Sequence, residues 1–181
     1  SRQRRTIPTP LTPLSKPYGA DIAVQSDPNY IFRNDWEEPS YGRDADNDVF
    51  TKLAKTNNDG TITDYGATFE DAVISGNGTY TCSMTTGDMG FGEDTAFHFF
   101  RVSTDIPSKL VKEGYVTISD VTIKIGEGKT QSGVVVDTSG DWVKLIVEDN
   151  YNNIKADGVV LTVPAPNTTT VFTFTVSGMA E

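Results

Sequence analysis

The chain has 181 residues, enough for one domain with a substantial core, and 36% of them are hydrophobic. Its net charge of −10 argues against nucleic acid and strongly anionic polymers as partners, because their phosphates or carboxylates call for a basic surface. No run approaches 18 consecutive apolar residues, so no membrane-spanning helix is expected.

Residues 1–17, SRQRRTIPTPLTPLSKP, carry four prolines, four basic residues and no acid. Proline at this density blocks both ladders and helices and favours an extended chain. The segment reads as a Pro/Thr-rich linker or tail, and a start at Ser1 without Met suits a mature or excised piece. Residues 18–181 then hold 11 basic and 25 acidic residues, a net of −14.

From Gly19 onward the pattern is β. ADIAVQ (20–25) places Ile22 and Val24 on one face and Asp21, Ala23 and Gln25 on the other. DNDVFTKLAK (46–55) has spacing suited to a turn or two of helix. KTNNDGTITDYG (55–66) has Asn, Asp and Gly near calcium-loop positions, but Lys55 and Gly66 stand where the first and last ligands belong. It therefore reads as an Asn-Asp-Gly turn. TFEDAVI (68–74) reads as one strand, and TYTCSM (79–84) alternates with Tyr80, Cys82 and Met84 on one side. TAFHFFRVS (95–103) reads as a central strand and YVTISDVTIKI (115–125) as a β-branched one. VVVD (134–137), DWVKLIVED (141–149), GVVLTV (158–163) and TTVFTFTVS (169–177) follow, each bounded by turn residues. Strands at this spacing predict an all-β fold: an antiparallel β-sandwich of roughly nine or ten strands over 18–181.

Catalytic chemistry has little support in the sequence. Cys82 and His98 are the single cysteine and the single histidine, and both lie inside strand-like runs. Neither a disulfide within the chain nor a cysteine-rich zinc site can form. Glu37 and Glu38 are adjacent and point apart on an extended chain, whereas glycoside hydrolysis needs two facing carboxyl groups. No enzyme activity and no catalytic residue is expected. Oxygen-rich DADND (44–48) and EDNYNN (148–153) leave room for a structural calcium ion, and no other cofactor is implied. Two Asn-X-Thr triplets start at Asn77 and Asn167, each at a turn.

The aromatic residues point to binding. NYIFRNDWEEPSYG (29–42) interleaves Tyr30, Phe32, Trp36 and Tyr41 with Arg33, Asn34, Asp35, Glu37 and Glu38. In DWVKLIVED the aliphatic set Val143, Leu145 and Val147 claims the core, which leaves Trp142 on the face with Lys144 and Glu148. Tyr151 rides the polar DNYNN turn. A flat aromatic ring matches the apolar C–H face of a sugar, and Asn, Asp and Arg match its rim of hydroxyls. Tyr30, Arg33, Trp36, Tyr41, Trp142 and Tyr151 are therefore the candidate ligand-binding residues, with no metal ligand among them. An internal plug of rings closing one end of the sandwich explains Tyr30, Phe32 and Trp36 equally well.

Five stretches in order, ADIAVQSDPNYIFRNDWEEPSYG, ATFEDAVISGNGTYTCSM, FHFFRVSTDIP, VTISDVTIKIGEGK and TTTVFTFTVSGM, extend from about Gly19 to Gly178. Together they resemble a family of non-catalytic carbohydrate-binding modules. Such modules occur in secreted, often cellulosomal, enzymes with which anaerobic bacteria degrade plant cell walls. The resemblance implies a jelly-roll-like sandwich and an extracellular location. It also implies a neutral β-glucan, xyloglucan or glucomannan as polysaccharide ligand and a catalytic domain in the same parent chain. It carries over Trp36, Tyr30 and Arg33, while Trp142 and Tyr151 rest on alternation and turn chemistry alone. A monomer with no nucleic-acid or membrane partner is the expectation. The competing readings are a structural or adhesive sandwich of a bacterial surface protein and a small glycosidase or lyase.

Overall fold

The computed structural model describes residues 17–27, 31–33, 43–44, 49–50 and 53–179. The tail over residues 1–16 and the ring positions Tyr30, Trp36 and Tyr41 lie outside the described residues. The first eight strands are β1 (Tyr18–Asp27), β2 (Ile31–Arg33), β3 (Arg43–Asp44), β4 (Val49–Phe50), β5 (Ala54–Thr56), β6 (Ile62–Asp64), β7 (Thr68–Glu70) and β8 (Ala72–Ile74). Then come β9 (Gly78–Thr85), β10 (Ala96–Pro107), helix α1 (Ser108–Lys112) and β11 (Thr117–Ile125). The chain continues through β12 (Gln131–Ser132), β13 (Val135–Asp137), β14 (Trp142–Asp149), β15 (Ile154–Lys155) and β16 (Thr169–Ser177).

The protein is an all-β antiparallel sandwich. Nine strands form the larger sheet in the order β13-β14-β10-β1-β2-β5-β6, with β15 added to β14 and β8 to β1. The facing sheet runs β12-β11-β16-β9-β7, and β3 and β4 pair separately. The core lies between the two large sheets. Ile22, Val24, Phe100, Val102, Val143, Leu145 and Val147 enter it from the larger sheet, and Cys82, Met84, Ile123, Phe172 and Phe174 from the smaller. Phe100 and Phe172 meet across it with ring centroids 6.1 Å apart. Cys82 is a buried free thiol whose sulfur donates to the Ala20 carbonyl at 3.3 Å, a packing role.

The strands exceed the nine or ten expected, because β2 to β8 are two or three residues long and too short to show alternation. The run 68–74 is two strands, not one. β7 pairs with β9 in the smaller sheet and β8 with β1 in the larger, so the chain crosses between sheets at exposed Asp71. The helical turn expected within 46–55 is absent where the chain is described: Val49–Phe50 and Ala54–Thr56 are strand. The Asn-Asp-Gly segment closes the β5–β6 hairpin. Asp59 Oδ1 accepts from the Thr61 hydroxyl at 2.6 Å and from its amide at 3.0 Å, and these bonds hold the carboxyl below its usual range. No strand forms over 158–163. Val160 is paired instead by the Gln131 side chain, which accepts from its N–H at 2.7 Å and donates to its C=O at 3.0 Å. A side-chain amide thus replaces a backbone ladder there. Helix α1, which alternation does not reveal, starts after Pro107 and ends before Gly114 at φ 79°.

The C-terminal strand is locked beyond its last residue. Asn77 accepts from the Met179 N–H at 2.8 Å and donates to the Met179 C=O at 3.1 Å. Gly178 makes this approach with φ 89°, and a Cβ there would lie 2.5 Å from the Tyr115 carbonyl oxygen. Gly178→Ala should therefore cost roughly 1–3 kcal/mol of stability. Thermal unfolding measures it, and an unchanged midpoint would mean that the β16 exit relaxes freely.

Candidate functional site

Two buried surfaces, not one, flank the larger sheet. The inner one is the core. On the outer face β1, β10 and β14 place Ala23, Gln25, Phe99, Arg101, Ser103, Ile146 and Asp149, all of them buried. Alternation along β10 explains the split, since Phe100 and Val102 point inward and Arg101 between them points outward. A register shift on β14 opposite Phe100 and Arg101 brings Asp149 to the face that Arg101 occupies.

Arg101 and Asp149 form a buried ion pair, Nη1 to Oδ2 at 3.4 Å. The guanidinium carbon sits 4.2 Å from the centroid of the Phe99 ring, and Nε lies 3.4 Å from the Ser103 hydroxyl. The same carboxylate organises the loop between β14 and β15. Asp149 Oδ1 accepts from the backbone N–H of Tyr151 at 3.1 Å and of Asn152 at 3.3 Å, and Oδ2 accepts from Asn152 Nδ2 at 2.8 Å. Asn150 ties the loop to β10 by donating its backbone N–H to the His98 carbonyl at 2.7 Å and its side-chain amide to the Phe97 carbonyl at 3.1 Å. An Asp followed by three polar residues and a tyrosine is local chemistry for such an Asx-stabilised loop.

The loop presents Tyr151, which is 62% exposed. Its hydroxyl donates to Gln25 Oε1 on β1, and its ring centroid lies 5.9 Å from that of His98 and 6.4 Å from that of Phe99. The sole histidine is therefore a neighbour of the exposed ring. The Asp149 oxygens, drawn on above as calcium ligands, are engaged by Arg101 and the loop donors. Among the described residues no group of three His, Cys, Asp or Glu side chains is placed to hold a metal ion.

The remaining candidates fall into two places. β2 pairs with β1 beside Gln25: the register sets Phe32 opposite Gln25 and Arg33 opposite Val24. The aromatic-rich segment thus enters the sheet next to the strand that holds the Tyr151 hydroxyl. Trp142 is 50% exposed and Val143, Leu145 and Val147 are in the core, as the alternation of β14 requires. Trp142, however, stands at the start of β14 opposite Pro107, about 23 Å along the strand from its Tyr151 end. Buried Ile146 lies between them along the strand. Gln25, Phe99, Arg101 and Asp149 escaped the sequence reading. One signal was available: an arginine inside the apolar run AFHFFRVS must find a carboxylate if that run is buried.

No family model matches the chain, and neither a curated protein nor a solved structure matches it. Among the described residues no helix is long and apolar enough to cross a membrane.

Asp149→Ala would remove the carboxylate that faces the buried Arg101 guanidinium and, with it, the acceptor of three loop hydrogen bonds. It should destabilise the protein by roughly 3–5 kcal/mol in chemical denaturation. A cost below about 1 kcal/mol would show that the pair behaves as a solvated surface bridge.

Proposed function

We propose that the protein is a non-catalytic module that binds neutral plant cell-wall polysaccharide of the β-glucan, xyloglucan or glucomannan type. The observation that carries this reading is Tyr151: an exposed aromatic ring anchored at its backbone by Asp149 and at its hydroxyl by Gln25. A ring held in this way is a ready stacking surface for the C–H face of a sugar. The strand carrying Phe32 and Arg33 is paired beside Gln25, which supports a site extending from Tyr151 toward the 29–42 segment. The net charge of −10 favours a neutral ligand over a polyuronate. In a secreted multi-domain enzyme such a module raises the local concentration of a tethered catalytic domain on its substrate. The Pro/Thr-rich tail suits that tether.

Isothermal titration with mixed-linkage β-glucan, xyloglucan and glucomannan tests the reading. At least one should bind in the micromolar range, about −7 to −8 kcal/mol, with little dependence on salt. Tyr151→Ala should lose roughly 2 kcal/mol or more of that affinity, with the protein still folded and destabilised by no more than about 1–3 kcal/mol for the unbonded Gln25 amide. Trp142→Ala should leave it unaltered. Binding to none of the three polymers favours a structural or adhesive sandwich, and reducing-sugar release on incubation would instead indicate a hydrolase.

A further inference from the structure

Gln25 is 1% exposed and lies on the outer face of the larger sheet, away from the core. Its register neighbours are Phe99 on β10 and Phe32 on β2. A primary amide in such a row is costly to bury unless its polar atoms are bonded, and an apolar residue would satisfy the packing as well. The amide oxygen accepts the hydroxyl of Tyr151, 126 positions away in sequence, whose ring is mostly exposed. A buried polar group is therefore committed to an exposed one.

We propose that Gln25 is a positioning residue that fixes the axis of the Tyr151 ring. The ring has two anchors. Asp149 accepts from the Tyr151 backbone N–H at 3.1 Å and so sets where the side chain starts. Gln25 holds the hydroxyl and so sets where the side chain ends. With both ends held, rotation about the Cα–Cβ bond is stopped, and the rings of His98 and Phe99 at 5.9 and 6.4 Å stand beside it. The rotamer entropy of Tyr151 is then lost on folding and not on ligand capture, which raises affinity without a new contact to the ligand. The consequence for affinity rests on the glycan-binding reading above; the orientation of the ring does not.

The test has two arms. In the ligand-free protein, three-bond couplings report the Cα–Cβ rotamer at position 151. The wild type should show one rotamer, and Gln25→Leu should show averaging. Tyr151→Phe keeps the ring and the Gln25 side chain and removes only the hydroxyl between them, so it carries the same test if Gln25→Leu fails to fold. A single unaveraged rotamer in these variants overturns the proposal. In the second arm cellohexaose and a xyloglucan heptasaccharide are titrated into the wild type, both single variants and the double variant. Each single change should weaken binding about three- to tenfold. The double variant should lose no more than the weaker single one, because both remove the same bond. Losses that multiply would place Gln25 in some other role and overturn the proposal. If the wild type binds neither sugar, the glycan reading fails, while the coupling measurement still decides whether Gln25 orients Tyr151.

Discussion

A guanidinium and a carboxylate buried together on the outer face of a sheet hold each other in place, because either one left alone would carry several kcal/mol of uncompensated desolvation. In this protein that pair is Arg101 and Asp149. It joins β10 to β14 on the side of the sheet that faces away from the core. It also fixes the loop after β14, since the Asp149 carboxylate accepts from two backbone N–H groups and one side chain of that loop. The position of Tyr151 follows from the position of Asp149, and the position of Asp149 follows from Arg101. One charged pair thus sets the geometry of the candidate site.

The larger sheet pays for this arrangement with unusual burial on both faces. Its inner face is an ordinary aliphatic and aromatic core. Its outer face buries Phe99, Ala23 and Ile146 together with Gln25, Arg101, Ser103 and Asp149. Polar groups confer little stability there, but they impose direction. A hydrogen bond specifies where a ring must point, whereas apolar contact leaves the ring to slide. The smaller sheet differs. Its outer positions are largely hydroxyls, and some pair across strands, as Thr79 with Thr175 and Thr85 with Thr169. That face has an internal account of its polarity and, among the described residues, holds no exposed ring.

The exposed rings of Trp142 on β14 and Tyr151 in the loop after it illustrate how strand geometry limits a site. Alternation leaves Trp142 and the loop after Asp149 on the outer side, yet the strand's length keeps them apart. Sequence proximity, nine positions, overstates their closeness; Gln25, 126 positions from Tyr151, is its true neighbour. Antiparallel pairing of β10 with both β1 and β14 makes that contact, because Phe99 stands between Gln25 on one side and Asp149 on the other.

Alternation and turn chemistry suffice for much of this fold. The long strands β1, β9, β10, β11, β14 and β16 are legible because each has enough residues to show period two, and the inward set Val143, Leu145 and Val147 can be read directly from DWVKLIVED. Tyr151 is legible as a turn residue from the Asp and Asn around it. The short strands are not legible, because two or three residues carry no period, and neither is the crossing between sheets at Asp71. The segment 158–163 has the composition of a strand, but its described pairing is to the side-chain amide of Gln131, which local composition does not encode. The partnership of Gln25 with Tyr151 and of Arg101 with Asp149 was decided by tertiary structure alone. Each depends on which strands become neighbours and on a register shift that turns Asp149 outward, and both are consequences of packing the whole chain.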